Sequence, residues 1–270
     1  MPISSSKREY RLLQKQLRAL EKEETKLLAY KPTEDDSGVF EKIRRKIPEK
    51  ALNAIETAFT KGFSYLLKKG DPILEKTGGL EKTRSRSEKY HESLERAVHP
   101  KTLKAVDKAA DSKNFSMKAG TTIEGSVMGI FGIGLPDIPI FLGMMLKAVY
   151  EVAAGYGFDY REPAERKYVM AVIKVAFTHG GNRILYSQDC DRLGEEIDGG
   201  AEIDTEISES DIEKISGILT SELLVWKFIQ GRAIVGAVGG PLNRSMLKRA
   251  TDVARIKYKK RFLRSLLKKY

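Results

Sequence analysis

Cysteine is all but absent from these 270 residues: Cys190 stands alone, which excludes an internal disulfide framework and suits a reducing compartment. Histidine is nearly as scarce. His91, His99 and His179 are scattered and form no visible ligand set, so neither a metal nor a cofactor is expected. Also missing is a complete catalytic motif. GIFGIG is followed by no Lys-Ser or Lys-Thr pair and preceded by no strand, so nothing there would hold a nucleotide phosphate and its magnesium. No Gly-x-Ser-x-Gly elbow exists; Gly62-Phe63-Ser64-Tyr65-Leu66 lacks the closing glycine and lies in a helical pattern. His179-Gly180-Gly181-Asn182 is similar to a lipase oxyanion loop, but a helix end capped by glycine, with His179 in its last turn, explains it as well. A calcium-like loop opening at Asp189 fails where Leu193 and Gly200 replace oxygen ligands. Strand alternation is rare, with residues 184–186 a local candidate, and no solenoid-length repeat is present. MPISSSKREYRLLQKQ lacks the apolar core of an export signal, so a cytoplasmic location is expected.

One apolar run approaches the length of a membrane span: GSVMGIFGIGLPDIPIFLGMML, residues 125–146. Pro136, Asp137 and Pro139 interrupt it, and a straight span would place the acid at mid-bilayer at a cost of about 3 kcal/mol. A hairpin fits better: a glycine-rich arm, a Pro-Asp turn, and a second arm that Asp137 caps. Gly125, Gly129, Gly132 and Gly134 permit close backbone approach. A second glycine-rich run, GRAIVGAVGGPLNR at residues 231–244, has Gly236 and Gly240 four apart and Asn243 near its end. The two runs are expected to pack together, facing either a core or one leaflet.

Charge is abundant and unevenly placed. Residues 241–270 hold eleven Lys or Arg against Asp252, a net +10, while the whole chain carries +11. Residues 189–213 hold eleven acids against Arg192, a net −10. The two blocks could attract each other. The basic segment also repeats Leu247, Ala250, Ala254, Tyr258, Phe262, Leu266 and Leu267 at helical spacing. A basic amphipathic helix is a membrane-surface pattern, so Arg255, Lys257, Lys259, Lys260, Arg261, Arg264, Lys268 and Lys269 are candidate contacts to anionic lipid. The alternatives are a core stripe with a merely solvated basic face, and, less favoured, nucleic acid.

Helical periodicity dominates elsewhere, and the expected fold is all-α: a multi-helix bundle with a central glycine-rich apolar hairpin. Residues 1–36 are read as an N-terminal amphipathic helix, with Tyr10, Leu13, Leu17, Leu20 and Leu27 on one stripe and Lys and Glu on the other faces. Residues 37–270 form the main helical domain. Within it, helices are expected from Pro48 to Leu67, capped by Gly70, from about Arg84 to before His99, and from Pro100 past Ala110. Others are expected from Asp137 to Gly155, from Pro163 to His179, from Ser210 to Ile229, and from Pro241 onward. Residues 187–210 read as an exposed acidic connection.

These motifs together resemble the EcsC family of bacterial proteins, over about residues 40–265. The likeness is clearest at Leu135-Pro136-Asp137-Ile138-Pro139, continuing to Tyr156-Gly157 and Asp159, then Glu165, Arg166 and Tyr168. Gly236, Gly240 and Asn243, and then Ala250, Tyr258, Arg261, Phe262 and Leu263, resemble the family's closing segments. Gln230-Gly231 departs from the Ile-Pro-like pair expected there. The N-terminal helix and the acidic stretch read as additions or variable parts. The resemblance implies an accessory role beside an ABC exporter linked to secretion, and carries over no catalytic residues. The resulting expectation is a cytoplasmic protein at an anionic membrane surface, its acidic stretch screening the basic helix when off the membrane. An unrecognised hydrolase site, with Asp137, Asn243 and His179 as first candidates, and a carrier of an apolar ligand are the alternatives.

Overall fold

The computed structural model describes residues 5–29, 45, 47–69, 71–76, 78–111, 137–229 and 240–270. Among them are ten helices and no strand. They are α1 (Ser5–Leu28), α2 (Glu49–Lys69), α3 (Asp71–Lys76), α4 (Leu80–Arg96), α5 (Pro100–Ala109), α6 (Asp137–Gly155), α7 (Pro163–Phe177), α8 (Gly180–Asp198), α9 (Glu209–Ile229) and α10 (Gly240–Leu267).

Two of these helices make the centre. In α6 nearly every position is apolar, so it can be buried all round; Phe141, Met145, Val149 and Val152 are all within the core. It is long and apolar enough to cross a membrane, yet 83% of its 18-residue apolar window is buried inside the bundle. Around it pack α2, α4 and α5. The second central helix is α10, which packs against α6, α7, α1 and α8. Its predicted apolar stripe is core: Ala250, Ala254, Tyr258, Phe262 and Leu266 are buried. An outer layer is completed by α9 on α2 and α7.

Close approach needs glycine at two points. A Cβ on Gly155 would stand 2.4 Å from the Ala110 Cα, so the ends of α5 and α6 meet only because Gly155 is bare. Gly157 has φ +85 and lies against the His91 ring, where a Cβ would be 2.2 Å from Cε1.

Several expectations shift. The helix opening at Pro163 ends at Phe177, not at the glycines; His179 is extended and precedes α8, which Gly180 opens. Residues 184–186 are therefore helical, and so is the acidic stretch as far as Asp198, leaving only residues 199–208 as a connection. The physical reason is that α8 turns polar and small groups inward: Arg183, Ser187, Cys190 and Gly194 are buried along one face. A hydrophobic period cannot reveal such a face. The helix expected near Arg84 starts earlier, at Leu80, after Gly78 and Gly79, both at positive φ.

Nor is the first helix an appendage. It runs antiparallel along α10, with Leu13 and Leu20 buried in the common core. Gly125, Gly129, Gly132, Gly134 and Gly236 lie outside the described residues, as does Gly70. Asp137 opens α6 and Gly240 opens α10, with Asn243 in its first turn; the surroundings of their side chains also lie outside what is described.

Candidate functional site

The eight basic residues predicted as lipid contacts all lie on α10 or just past its end, and the structure divides them. Lys257, Lys260 and Arg261 are buried, which corrects their reading as exposed lipid contacts. The ammonium of Lys257 donates to the Ser187 carbonyl at 2.9 Å and its hydroxyl at 2.7 Å. It also pairs with Glu24 at 2.6 Å and Asp191 at 2.7 Å. Lys260 pairs with the second oxygens of the same two carboxylates, Asp191 at 2.7 Å and Glu24 in close contact. Two cations and two anions thus alternate in a closed ring, drawn from α1, α8 and α10. The net charge is zero, which is what burial requires. Burial alone would raise the Glu24 carboxyl, but Lys257 and Lys260 outweigh it and hold it below its ordinary range. Burial likewise disfavours the charged Lys257, yet the acidic groups around it carry it upward.

Arg261 sits one turn further along. Its guanidinium is bidentate to Glu165 at 2.9 and 2.6 Å and to Asp198 at 3.0 and 2.6 Å. The guanidinium carbon lies 4.2 Å from the Phe158 ring centre and 4.3 Å from that of Tyr168. Arginine supplies both the planar stack and the double fork, which lysine cannot. Gly194 of α8 leaves room for it, since a Cβ there would stand 2.9 Å from the Arg261 Cδ. Burial raises the Glu165 carboxyl above its usual range despite this arginine.

The remaining predicted contacts are nearer water. Lys259 pairs with Asp107 at 2.7 Å, and Tyr156 donates to the same carboxylate at 3.0 Å. Arg255 pairs with Glu23, and Arg264 with Glu195 at 2.6 Å. Lys268 and Lys269 are exposed, Lys268 donating to the Asp198 carbonyl at 3.1 Å. The attraction expected between the acidic and basic blocks is therefore real, but it is a packed contact between α8 and α10, not a loop over a surface.

His179, the enzyme candidate, lies at a different junction. Its Nε2 is 2.5 Å from Glu222, and its Nδ1 is 3.3 Å from Arg249, which also donates to Glu222 at 2.7 Å. Both ring nitrogens are thus engaged, Nε2 by Glu222 and Nδ1 by Arg249. Arg183, buried nearby, donates to the carbonyls of Val175 and Leu27. Burial, with Arg249 adding repulsion, pushes its guanidinium down to about 10. Cys190 is fully buried and burial pushes its thiol up to about 12, the condition of an inert packing residue.

The outward side of α1 escapes the sequence reading, which takes its charged faces as mixed Lys and Glu. Once Leu13, Leu20 and Glu24 are known to face α10, successive residues about 100° apart place Arg8, Arg11, Lys15, Arg18, Lys22 and Lys26 in one row on the opposite side. All six are exposed, and no side chain among them has an ion-pair or hydrogen-bond partner among the described residues. The spacing of three and four is legible in the sequence; which face it occupies is not.

Comparison with known proteins gives these positions a context. The chain is 28% identical over 194 residues to the uncharacterized protein YdbA of Bacillus subtilis, covering 67% of this chain and 66% of that protein. It is 27% identical over 150 residues to the protein EcsC of the same organism, covering 54% and 55%. It thus spans less than two thirds of the length of either relative. No solved structure matches. The EcsC protein family matches residues 13–263, a span that opens inside α1 and takes in the acidic helix as well as α10. The match thus includes the acidic helix and the larger part of α1, and the chain belongs to the EcsC protein family.

Proposed function

We propose that this protein is a peripheral, membrane-associated accessory or binding protein on the cytoplasmic face, working beside a transport or secretion system of the ABC-exporter kind that its family resemblance implies. The observation that supports "peripheral" is the place of α6. The one described helix with a span's length and apolarity is 83% buried among its neighbours, so threading it through a bilayer would dismantle the bundle's centre. Membrane contact must then be made from the outside. In this proposal the runs at 125–136, which carry no charged residue, and 231–239, whose only charge is Arg232, supply an apolar face through Gly125, Gly129, Gly132, Gly134 and Gly236. Exposed basic residues such as Lys268 and Lys269 add contacts to anionic headgroups.

Fractionation tests this reading. The protein is expected in part with membranes, and alkaline carbonate should release it without detergent. Release by detergent alone would mean an integral protein. Complete recovery in the soluble fraction, with no flotation on lipid vesicles, would exclude membrane attachment.

A further inference from the structure

We propose that the outward face of α1 is a docking surface for anionic lipid headgroups, binding by charge alone. This deepens the membrane reading and rests on it, but concerns one surface that nothing yet assigns.

Alignment sets this face apart: six exposed cations share one side of a single helix. On α10, by contrast, Lys257, Lys259, Lys260, Arg261 and Arg264 each hold a carboxylate. The row Arg8, Arg11, Lys15, Arg18, Lys22 and Lys26 holds none among the described residues. Acids are present in α1, but three of them are turned away. Glu9 accepts from the Val98 amide and from the Tyr270 hydroxyl, Glu23 pairs with Arg255, and Glu24 joins the lysine ring. Only Glu21 borders the row. Like charges one turn apart repel, and an external anion lying over the row relieves that repulsion.

The shape selects the anion. From Arg8 to Lys26 the row is straight and about 27 Å long. A leaflet offers a plane, and its anionic lipids diffuse to wherever a cation waits, so no fixed spacing must be matched. A duplex curves away from a straight helix face, and its phosphates are fixed. Single strands are held by aromatic platforms, whereas Tyr10, the aromatic of α1, sits off the row with its ring centre 6.4 Å from that of Tyr270.

The apolar side of α1 gives the proposal its sharpest feature. An ordinary interfacial helix buries its apolar face in lipid. Here Leu13 and Leu20 are already buried against the bundle. The helix has nothing left to insert, so its binding must be electrostatic and must fade as salt shortens the range of charge. Each Lys or Arg near an acidic leaflet is worth about fivefold in partitioning.

The test uses the full chain and flotation on two kinds of vesicle, pure phosphatidylcholine and phosphatidylcholine mixed with phosphatidylserine, at low and high salt. One variant combines Arg11→Gln, Lys15→Gln, Arg18→Gln and Lys22→Gln. A second removes the same charge elsewhere, by Lys82→Gln, Arg86→Gln, Lys89→Gln and Lys101→Gln on α4 and α5. All eight residues are exposed, so both variants should keep the wild-type unfolding curve. Wild type is expected to bind acidic vesicles more tightly than neutral ones at low salt, with that difference lost at high salt. The α1 variant should lose roughly a hundredfold or more of that binding, and the second variant should stay within about threefold of wild type. Equal loss in both variants would mean net charge, not this face, and overturn the proposal. Binding to both vesicles that neither variant nor salt disturbs would overturn it and leave the membrane reading standing. No flotation on either vesicle, with or without retention on mixed-sequence duplex DNA, would overturn both.

Discussion

Two helices of this protein are rich in lysine and arginine, and they use that charge in opposite ways. In α10 the basic residues lie against carboxylates from five other helices: Glu23 and Glu24 of α1, Asp107 of α5, Glu165 of α7, Asp191, Glu195 and Asp198 of α8, and Glu222 of α9. In α1 the basic row faces water and meets no acid among the described residues. A helix's net charge therefore says little about the surface it presents. What decides is whether carboxylates on neighbouring elements share its face. Three acids of the −10 block, Asp191, Glu195 and Asp198, pair with four cations of the +10 block, and the basic row of α1 is left outside.

The α10 side of this contrast breaks most visibly at Arg261. Arg261→Met removes the guanidinium between Glu165 and Asp198 and leaves Glu165 buried without its bidentate partner. A loss of about 3–5 kcal/mol in urea unfolding is expected. Arg261→Lys should recover only a small part, because one ammonium cannot replace two forks and a ring stack. A loss under about 1 kcal/mol would mean that the α10 charges are not structural.

Glu24 comes next. Glu24→Gln leaves Lys257 and Lys260 sharing Asp191, and should cost about 2–3 kcal/mol. Because Glu24 belongs to α1, the same change should loosen that helix from α10, read as faster amide exchange along α1 than along α6. Combining it with Lys257→Met should cost less than the two changes added, since each removes the other's partner.

How much of this is legible in the sequence depends on what each face is made of. The helix from Asp137 to Gly155 is legible because nearly every position is apolar and its boundaries carry Pro and Gly. The apolar stripe of α10 is equally plain. By contrast α8 reads as a loop over most of its length, since the face it buries is Arg183, Ser187, Cys190 and Gly194 beside Asp191 and Asp198. Those residues do recur at helical spacing, but only the knowledge that Lys257, Lys260 and Arg261 lie opposite makes an inward aspartate sensible. Similarly, Glu24 looks like any surface glutamate until its partners, from the far end of the chain, are placed beside it. Buried ion pairs are long-range facts, and a single sequence read locally does not contain them. The outward row of α1 is hidden for the same reason, since its direction follows from where Glu24 points.

Acid sharpens the contrast without mutation. Glu24 has its folded carboxyl held below the ordinary range, so its contribution is present above the unfolded value and is lost as pH falls through the folded one. Glu165 has the opposite sign: burial raises it, so the folded state takes up its proton first and that site loses nothing relative to the unfolded chain on the way down. The stability gap between wild type and Glu24→Gln should therefore narrow as pH is lowered from neutral into the carboxylate range. His91 adds to the acid loss at milder pH. Burial, with Lys269 nearby, lowers its imidazole, so the unfolded chain binds that proton more readily and stability falls as pH drops through the unfolded value. A gap that stays constant with pH would show that the ring's stabilisation does not depend on an ionised Glu24.

The smallest expected effect is the most discriminating. Arg11→Gln, Lys15→Gln, Arg18→Gln and Lys22→Gln, taken singly, should each change unfolding free energy by no more than about 0.5 kcal/mol. Their side chains have no partner to lose among the described residues, and removing one cation from a row of like charges relieves repulsion. The sign is then informative: a slight gain in stability at low salt, vanishing at high salt, is the mark of cations held apart from any internal anion. The same substitution at Lys257 leaves Glu24 and Asp191 with one cation fewer in a buried ring, and salt should not rescue it, because a buried pair is poorly screened. If the α1 changes instead destabilise by the amounts expected for α10, the outward row has an internal partner and the two helices handle their charge alike.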